Sequence, residues 1–258
     1  MNLDLKDKRV LVTGSYRGTG AVIAARFLAE GARVIVHGME PGQAEAAVAE
    51  LRGGAPFTCD LTQDSARAAL AELVAEYTPQ ILVNNYGTAS SGHWGDGDEQ
   101  AWERAWQQNL MSAVRCSEAV LPAMKDAGWG RIVNLGTIGS TRPNARMPHY
   151  YAAKGALANM NASLALAVAG SGIRVNLVSP GLIATPEVRA QALERSRRKG
   201  GSERWEDVEA ELAKDIPIGR ITRRSEVADL VLFLASERAD AIHGQNIRID
   251  GGQLGVVS

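Results

Sequence analysis

The stretch Arg9–Glu30, RVLVTGSYRGTGAVIAARFLAE, decides the fold of this chain. It opens with RVLVTG, a β-branched apolar run, and closes with AVIAARFLAE, which has the pattern of an amphipathic helix. A strand, a glycine-rich turn and a helix in this order let the backbone approach a pyrophosphate, which the N–H donors and positive dipole of the helix N-terminus then bind. We therefore predict a dinucleotide-binding loop, with a tight turn that binds nothing as the alternative. The residues of this loop are Gly14, Ser15, Arg17, Gly18, Thr19 and Gly20.

The rest of the chain repeats this alternation of short apolar runs and longer Ala-rich stretches. Five further runs are predicted strands: ARVIVHG, QILVNN, GRIVNLGT, IRVNLVSP and NIRIDGG. Helices are expected at roughly 20–30, 42–51, 64–77, 99–127, 150–169 and 225–235. The alternation predicts an α/β fold, a doubly wound parallel sheet with crossover helices on both faces.

The segment at about 186–215 breaks this rhythm. It is rich in charged residues, and Gly200 and Gly201 separate two helix-like halves. We expect a small helical lid that closes over a substrate and excludes water.

Length and charge predict a single domain, residues 1–258, that acts on small molecules. The chain is long enough for one large core, and no linker-like segment divides it. Lys and Arg number 28 against 29 Asp and Glu, a formal net charge of −1. No overall field attracts the protein to nucleic acid or to an anionic membrane, so we expect neither as a partner.

Cysteine usage and hydropathy predict a cytoplasmic protein. Cys59 and Cys116 are too few for a disulfide framework or a thiolate metal site, and they suit a reducing compartment. The N-terminus is charged where a signal peptide is apolar, and no segment approaches the ~20 apolar residues of a membrane span. The histidines lack ligand spacing, so we expect no catalytic metal.

The end of the second predicted strand bears on the choice of cofactor. An acidic residue at this point holds the adenosine ribose hydroxyls in dinucleotide folds and disfavours a 2′-phosphate. Here His37 is followed by Gly38 and Met39, with Glu40 slightly further along. The guanidinium of Arg17 could pair with a 2′-phosphate, unless it is only a solvated loop charge. We therefore favour NADP, with NAD as the alternative, and place His37 in the cofactor site.

Tyr150 and Lys154 lie four residues apart in HYYAAKGALANM, on one face of a predicted helix. A cation beside a phenol stabilises the phenolate, which brings tyrosine closer to proton transfer at neutral pH. The pair is therefore a candidate acid/base. Tyr151 has no such partner and is interpreted as a packing or interface residue, whereas His149 either lines the site or faces solvent.

Five motifs occur in order: TGSYRGTG, NNYG, Tyr150-x-x-x-Lys154, SPG and GQNIRIDGG. With them the chain closely resembles the classical short-chain dehydrogenase/reductase family over nearly its whole length. The resemblance implies a Rossmann-like domain with about seven parallel strands, a nicotinamide cofactor and a homotetramer. It also implies an oxidoreductase that interconverts a secondary alcohol and a ketone by hydride transfer.

The same resemblance assigns four catalytic residues. Tyr150 would be the general acid or base, and Lys154 would hold the nicotinamide ribose and favour the Tyr150 phenolate. Thr137 stands where the family has serine and would orient the substrate oxygen, with Ser140 as the alternative donor. Asn109 would help to hold a water of the proton relay, and a helix-kink role is compatible with this.

Further cofactor contacts follow from the resemblance. Asp60 and Leu61 would lie at the adenine, and the PGLIAT stretch would clasp the nicotinamide carboxamide. Tyr86 replaces the usual alanine of NNYG and either reshapes the pocket or packs on a neighbouring loop. The residues added to the predicted cofactor site are Asp60, Leu61, Asn85, Gly87, Pro180, Gly181, Ile183 and Thr185.

A second class of function stays open at this point. A dinucleotide-binding sensor or scaffold with weak or no turnover would use the same fold, and the serine-to-threonine change at Thr137 is the feature that favours it. The sequence does not identify the substrate, because a fold does not specify a pocket.

Overall fold

The computed structural model describes residues 2–96 and 98–256. Within them, strands alternate with helices along the chain as expected. The strands are β1 (Arg9–Val12), β2 (Arg33–Gly38), β3 (Ala55–Thr58), β4 (Ile81–Asn84), β5 (Gly130–Leu135), β6 (Ile173–Pro180) and β7 (Asn246–Ile249). The α-helices are α1 (Gly18–Ala29), α2 (Gln43–Leu51), α3 (Ala66–Tyr77), α4 (Glu99–Trp106), α5 (Ser112–Asp126), α6 (Pro148–Ala167), α7 (Pro186–Arg198), α8 (Trp205–Leu212) and α9 (Arg224–Ala235).

The seven strands form one parallel sheet in the order β3-β2-β1-β4-β5-β6-β7. The strand order reverses between β1 and β4, and ligands of open α/β sheets bind at the carboxyl ends of the strands at such a point. This confirms the predicted doubly wound, Rossmann-like fold. It also puts the ends of β1 and β4 at the expected place for a site.

Both faces of the sheet are covered. Val10 and Val12 of β1 face a core cluster that includes residues of α1 and α9, whereas Leu11 faces the opposite cluster, with residues of α3 and α5. Successive strand residues point to opposite faces, and here both faces are apolar. The continuous apolar runs in the sequence have this origin.

β3 is a strand that was not among the apolar runs of the sequence. It lies at the edge of the sheet, contains Pro56, and none of its residues is fully buried. Proline lacks an N–H and is tolerated on an edge strand, where one side needs no ladder partner. The resemblance predicted seven strands, but the apolar pattern alone did not find this one.

The helix predicted at 99–127 is interrupted. A π-helical turn, Gln107–Met111, separates α4 from α5. The extra residue of this turn interrupts the regular α-helical backbone hydrogen bonds. The side-chain Nδ2 of Asn109 donates to the carbonyl of Ala105 at 3.1 Å. The continuous helix was therefore a wrong expectation, and the helix-kink role considered for Asn109 is observed.

The segment at 186–215 folds into two helices, as predicted. No residue of α7 is buried, and Gly200, which follows it, has φ +70°. α8 is attached more firmly, because Glu209 accepts a hydrogen bond from Arg223 just before α9 (Nη2 to Oε2, 3.0 Å). Among residues 2–96 and 98–256, none of the helices combines the length and the apolar character that crossing a membrane requires.

Candidate active site

The loop after β1 has the backbone that its glycines allow. Gly14 and Gly18 both have φ +63°, in the left-handed region that favours glycine. A Cβ on Gly20 would lie 2.6 Å from the carbonyl oxygen of Gly14 and would also overlap the side chain of Asn85. The turn therefore requires glycine at these positions and brings β1 and α1 into close contact.

This loop borders a cavity of about 610 Å³ at the carboxyl ends of β1 and β4. Nine residues predicted to bind the cofactor line it: Gly14, Arg17, Gly18, Thr19, Gly20, Asp60, Asn85, Gly87 and Thr185. Residues that the prediction did not include also line it: Tyr16, Met39, Glu40, Gln43, Thr62, Tyr86, Thr88, Ala89, Gln108 and Glu187. Volume and position suit an extended small molecule.

Thr13 joins the ends of β1 and β4, a role that no motif in the sequence indicated. Its Oγ accepts hydrogen bonds from the backbone N–H groups of Asn85 and Tyr86 at 3.0 and 2.9 Å. The Asn85 amide donates in turn to the Thr13 carbonyl at 2.9 Å. The loop that contains Asn85 and Gly87 is thereby fixed beside the glycine turn.

A buried chain of amides positions α6. Asn84 Nδ2 on β4 donates to Asn134 Oδ1 on β5 at 2.8 Å, and Asn134 Nδ2 donates to Asn161 Oδ1 on α6 at 3.0 Å. All three side chains are buried, where an unpaired amide would be costly. The chain therefore fixes how α6, and the residues it carries, sit over the sheet.

Lys154 on α6 is buried, and its Nζ donates to the carbonyl of Leu135 at 2.7 Å. Burial lowers the pKa of Lys154 to about 8. Gly87 lies against it: a Cβ there would be 3.2 Å from Lys154 Nζ and 2.6 Å from Asn109 Oδ1. The ammonium thus lies directly behind Gly87, a residue of the cavity wall.

The phenol of Tyr150 is close to Thr137. Burial, followed by the charge of the neighbouring Tyr151, raises the pKa of Tyr150 to about 12, and a hydrogen bond with the Thr137 side chain acts in the opposite direction. Lys154 is not among the groups that shift this pKa, because its Nζ is directed to Leu135. The expected lowering by Lys154 is therefore not observed in this structure.

Thr137 and Ser140 differ in their partners. Thr137 has extended backbone, and its Oγ accepts from the N–H of Gly139 at 3.2 Å, which leaves its hydroxyl proton free to donate. Ser140 Oγ is buried without a hydrogen-bond partner in the described part of the chain. Tyr151 packs its ring on Gly139 and hydrogen bonds to Asn144 at 3.0 Å, in agreement with a packing role.

Asn109 connects the π-helical turn to the loop after β4. Its Oδ1 accepts from the N–H of Thr88 and its Nδ2 donates to the carbonyl of Thr88, both at 3.1 Å. It is 1% exposed. Asn109, Lys154 and Gly87 therefore meet at one point, although Asn109 reaches Tyr150 by no direct hydrogen bond.

His149 is buried, so the solvent-facing alternative for it is wrong. Its Nδ1 accepts from the N–H of Tyr150 at 2.9 Å, and its ring packs edge-on against Trp102, with centroids 6.0 Å apart. The ring of Trp102 also contacts that of the mostly exposed Trp94, at a tilt of 52° and with centroids 5.5 Å apart. These contacts hold the first turn of α6 against α4.

Besides Tyr150 and Lys154 of α6, six residues of the predicted cofactor site do not line the cavity. Leu61 is a core residue, and its carbonyl accepts a hydrogen bond from Arg115. Gly181 lies against Asp250 and Gln253, and Ile183 bridges to Thr222. The six are Ser15, His37, Leu61, Pro180, Gly181 and Ile183, of which Pro180 is the last residue of β6.

Tyr86 does both things that the sequence left open. It borders the cavity and packs against the core cluster that contains Leu61. Burial, with Asp60 and Tyr16 as smaller causes, raises the pKa of Tyr86 to about 12, so its phenol is neutral at physiological pH. The side chain therefore adds a neutral aromatic wall at the Asp60 end of the cavity.

Known proteins match this chain over nearly its whole length. Residues 14–253 match the family model described as Enoyl-(Acyl carrier protein) reductase. The chain is 33% identical to 2-(S)-hydroxypropyl-CoM dehydrogenase 3 of Xanthobacter autotrophicus, over 99% of this chain and all of that protein. It is also 33% identical to the 3-oxoacyl-[acyl-carrier-protein] reductase of Escherichia coli, over 97% of this chain and 98% of that protein.

Solved structures give the same result. L-sorbose reductase from Gluconobacter frateurii, in complex with NADPH and L-sorbose, superposes with a TM-score of 0.93 at 30% identity, over the whole of both chains. Aldohexose dehydrogenase from Thermoplasma acidophilum superposes with a TM-score of 0.86 at 31% identity, over all of this chain and 99% of that one. The chain belongs to the short-chain dehydrogenase/reductase family of NAD(P)-dependent oxidoreductases.

Proposed function

We propose that the protein interconverts a secondary alcohol and a ketone, with Tyr150 as the general acid/base and NADP as the preferred cofactor. One observation carries the proposal: the Tyr150 phenol lies close to the Thr137 hydroxyl, on the same helix as the buried Lys154, whose ammonium lies against Gly87 of the cavity wall. A phenol and a hydroxyl that converge on one point suit the oxygen of a carbonyl or alcohol.

The residues fit a nicotinamide dinucleotide. At Gly14 and Gly20 a Cβ would strike neighbouring atoms, and the loop opens directly into the N-terminus of α1, the cradle that a pyrophosphate needs. Lys154 and Asn85 would hold the ribose at the nicotinamide end, and Thr185 and the Pro180–Gly181 stretch the carboxamide. When bound, the cofactor supplies or accepts the hydride.

This chain's own residues handle the proton and the orientation. In reduction, Tyr150 donates its phenolic proton to the carbonyl oxygen, and Thr137 donates a hydrogen bond to the same oxygen and holds it in place. In oxidation, Tyr150 takes up the alcohol proton. Lys154 holds the ribose with its ammonium, and Asn109 orders the Gly87–Thr88 backbone beside it and holds a water of the proton relay.

The preference for NADP rests on Arg17. This exposed side chain borders the cavity and lies with its guanidinium 5.2 Å from the centre of the Tyr16 ring. Glu40 also borders the cavity, but Gln43 donates a hydrogen bond to its carboxylate at 3.2 Å. L-sorbose reductase binds NADPH, and we extend that preference to this chain, with NAD as the weaker cofactor.

Tyr150→Phe is the experiment that separates an enzyme from a sensor or scaffold. We expect ketone-dependent NADPH oxidation to fall by about 10²- to 10⁴-fold, while NADPH binding, measured by fluorescence titration, stays close to wild type. Activity that survives the substitution would remove Tyr150 from the mechanism. Wild-type protein that binds NADPH but turns over none of a broad panel of ketones and alcohols would favour the scaffold.

We further propose one domain over 1–258 with a lid at about 186–215, a homotetramer and a cytoplasmic location. A sheet that is continuous from β3 to β7 supports one domain.

Leu166 on α6 is 80% exposed, and such large apolar side chains favour burial by a second copy. Cys59 and Cys116 are free thiols, which suits a reducing compartment. Light scattering gives the mass of the assembly, and a mass of one chain would overturn the tetramer.

A further inference from the structure

His37 is fully buried at the end of β2, and all of its polar groups bind two loops that border the cavity. On the ring, Nδ1 accepts from the N–H of Gly14 at 2.9 Å, and Nε2 lies 2.8 Å from the carbonyl of Cys59. On the backbone, its N–H donates to Ser15 Oγ at 2.9 Å, and its carbonyl accepts from the N–H of Tyr16 at 3.2 Å. Three consecutive residues of the glycine loop therefore rest on His37.

These partners assign the tautomer. A backbone N–H can only donate, so Nδ1 carries no proton, and a carbonyl can only accept, so Nε2 carries one. Burial lowers the pKa of His37 to about 4, with the hydrogen bond to the Cys59 carbonyl and the charge of Asp60 as smaller opposing influences. The other titratable groups close to the ring are the Cys59 thiol and the Tyr86 phenol, and burial raises the pKa of both. The imidazole is therefore neutral and has one proton in a fixed place.

His37 does not line the cavity itself, but its hydrogen-bond partners, or the residues next to them, do. Gly14 and Tyr16 line one side, and Asp60, which follows Cys59, lines the other. The ring thus spans the gap between the phosphate loop and the end of β3, and it leaves no polar side-chain atom at this position for a ribose hydroxyl. A contact of this kind sets the distance between two binding surfaces.

We infer that His37 is a positioning residue: its bridge from Gly14 to Cys59 sets the spacing of the two loops that hold the adenosine half of the cofactor. This inference rests on the proposed NADP site. It assigns His37 an indirect role, through the backbone of both loops, in place of the direct cofactor contact expected from its sequence position.

Three substitutions test the bridge from each end. His37→Asn retains an acceptor near the position of Nδ1 but is too short to reach Cys59, His37→Gln places a donor near the position of Nε2, and His37→Leu removes both. The probes are NADPH, followed by its fluorescence, and 2′,5′-ADP, which represents the adenosine half, followed by calorimetry. Steady-state kinetics and Tm complete the set.

His243 provides a matched control. Its Nδ1 accepts from the N–H of Val175 at 3.2 Å and its Nε2 lies 2.9 Å from the carbonyl of Ala165, the same pattern of ring contacts away from the cavity. His243→Leu should lower Tm while the Kd for 2′,5′-ADP stays unchanged. A purely structural role for His37 would give the same result as this control.

We expect His37→Leu to raise the Kd for 2′,5′-ADP and for NADPH by about tenfold or more, with smaller rises for the Asn and Gln variants. The KM for NADPH should rise in parallel, while kcat at saturating NADPH stays near wild type. His37→Asn and His37→Gln keep the test valid where the Leu variant fails to fold. The inference is overturned if all folded variants bind 2′,5′-ADP as wild type does, whereas wild-type protein that binds no NADPH overturns the proposed function itself.

Discussion

At the scale of single residues, the hydroxyl of Thr137 is the group that lowers the pKa of the Tyr150 phenol, against the effects of burial and of Tyr151. The family pattern has serine at this position, and the added methyl leaves the hydroxyl able to donate. Thr137 opposes the rise in the Tyr150 pKa that burial causes. Ser140, the alternative donor, has a buried hydroxyl with no hydrogen-bond partner among the described residues, and it does not shift that pKa.

Thr137→Ala should therefore raise the pKa of Tyr150. Alcohol oxidation requires the deprotonated phenol, so the rising limb of its pH profile should move to higher pH, and kcat/KM at pH 7 should fall by about 10- to 100-fold. Thr137→Ser should restore both. The pH dependence of kcat/KM for these variants and for Ser140→Ala is the measurement, and a shift in the Ser140→Ala profile alone would assign the role to Ser140.

Lys154 should make the free protein less stable at neutral pH. Its folded-state pKa, about 8, lies below the ordinary lysine value of 10.5, so the unfolded chain binds the proton more tightly. Stability therefore rises as pH increases from about 8 towards 10.5, and the penalty is fully present below pH 8. We expect Lys154→Met to raise the Tm of cofactor-free protein at pH 7 and to lose this advantage near pH 10, even though activity falls.

The exposed Lys125 at the end of α5 supplies the comparison. Lys125→Met should change the Tm little at either pH, since a solvated ammonium has no desolvation penalty to relieve. If Lys154→Met lowered the Tm at pH 7 by more than this control, the hydrogen bond to Leu135 would outweigh the cost of burying the charge.

At the scale of elements, Gly87 lets the loop after β4 pack closely against the π-helical turn that precedes α5. A Cβ at Gly87 would lie 2.6 Å from Asn109 Oδ1, so Gly87→Ala must displace Asn109, Lys154 or the loop itself. We expect a loss of about 1–3 kcal/mol in the free energy of unfolding and a higher KM for NADPH. Gly95→Ala, where a Cβ meets nothing within 4 Å, is the control. Equal Tm values for both variants would mean that the loop yields without cost.

Local patterns predicted the helices and most of the strands, because period and composition are properties of neighbouring residues. β3 was not found this way, since an edge strand with Pro56 needs little apolar character and depends on its pairing with β2. The π-helical turn before α5 was also missed. It depends on what Asn109 meets at Thr88, a residue 21 positions away in sequence.

In the site, too, features set by neighbouring residues were predicted, and those set by contacts between distant parts of the sequence were not. Motifs predicted the glycine loop, Tyr150, Lys154 and Asn109, because their spacing is local or fixed by the family. The role of His37 could not be predicted, because Gly14 and Cys59 become its neighbours only when β1, β2 and β3 pair. The amide chain from Asn84 to Asn161 likewise joins separate parts of the sequence.

At the scale of the whole molecule, cofactor binding should stabilise the fold. The cavity draws most of its walls from the segments that follow β1, β2, β3 and β4 and from the start of α7, so a ligand that fills it binds only the folded chain. Mass action then adds RT ln(1 + [L]/Kd), about 2.7 kcal/mol at a concentration 100 times Kd. Tm should therefore rise with the logarithm of NADPH concentration.

The comparison of NADPH with NADH tests the cofactor preference at this scale. Arg17 offers a guanidinium to the 2′-phosphate that only NADPH carries, so NADPH should raise Tm more than NADH at equal concentration. Arg17→Ala should remove most of that difference and leave the smaller NADH shift in place, because the glycine loop holds the pyrophosphate common to both. If NADH stabilised the wild-type protein more strongly, Glu40 would be the residue that selects the cofactor, through the ribose hydroxyls, and Glu40→Gln should then weaken NADH binding specifically.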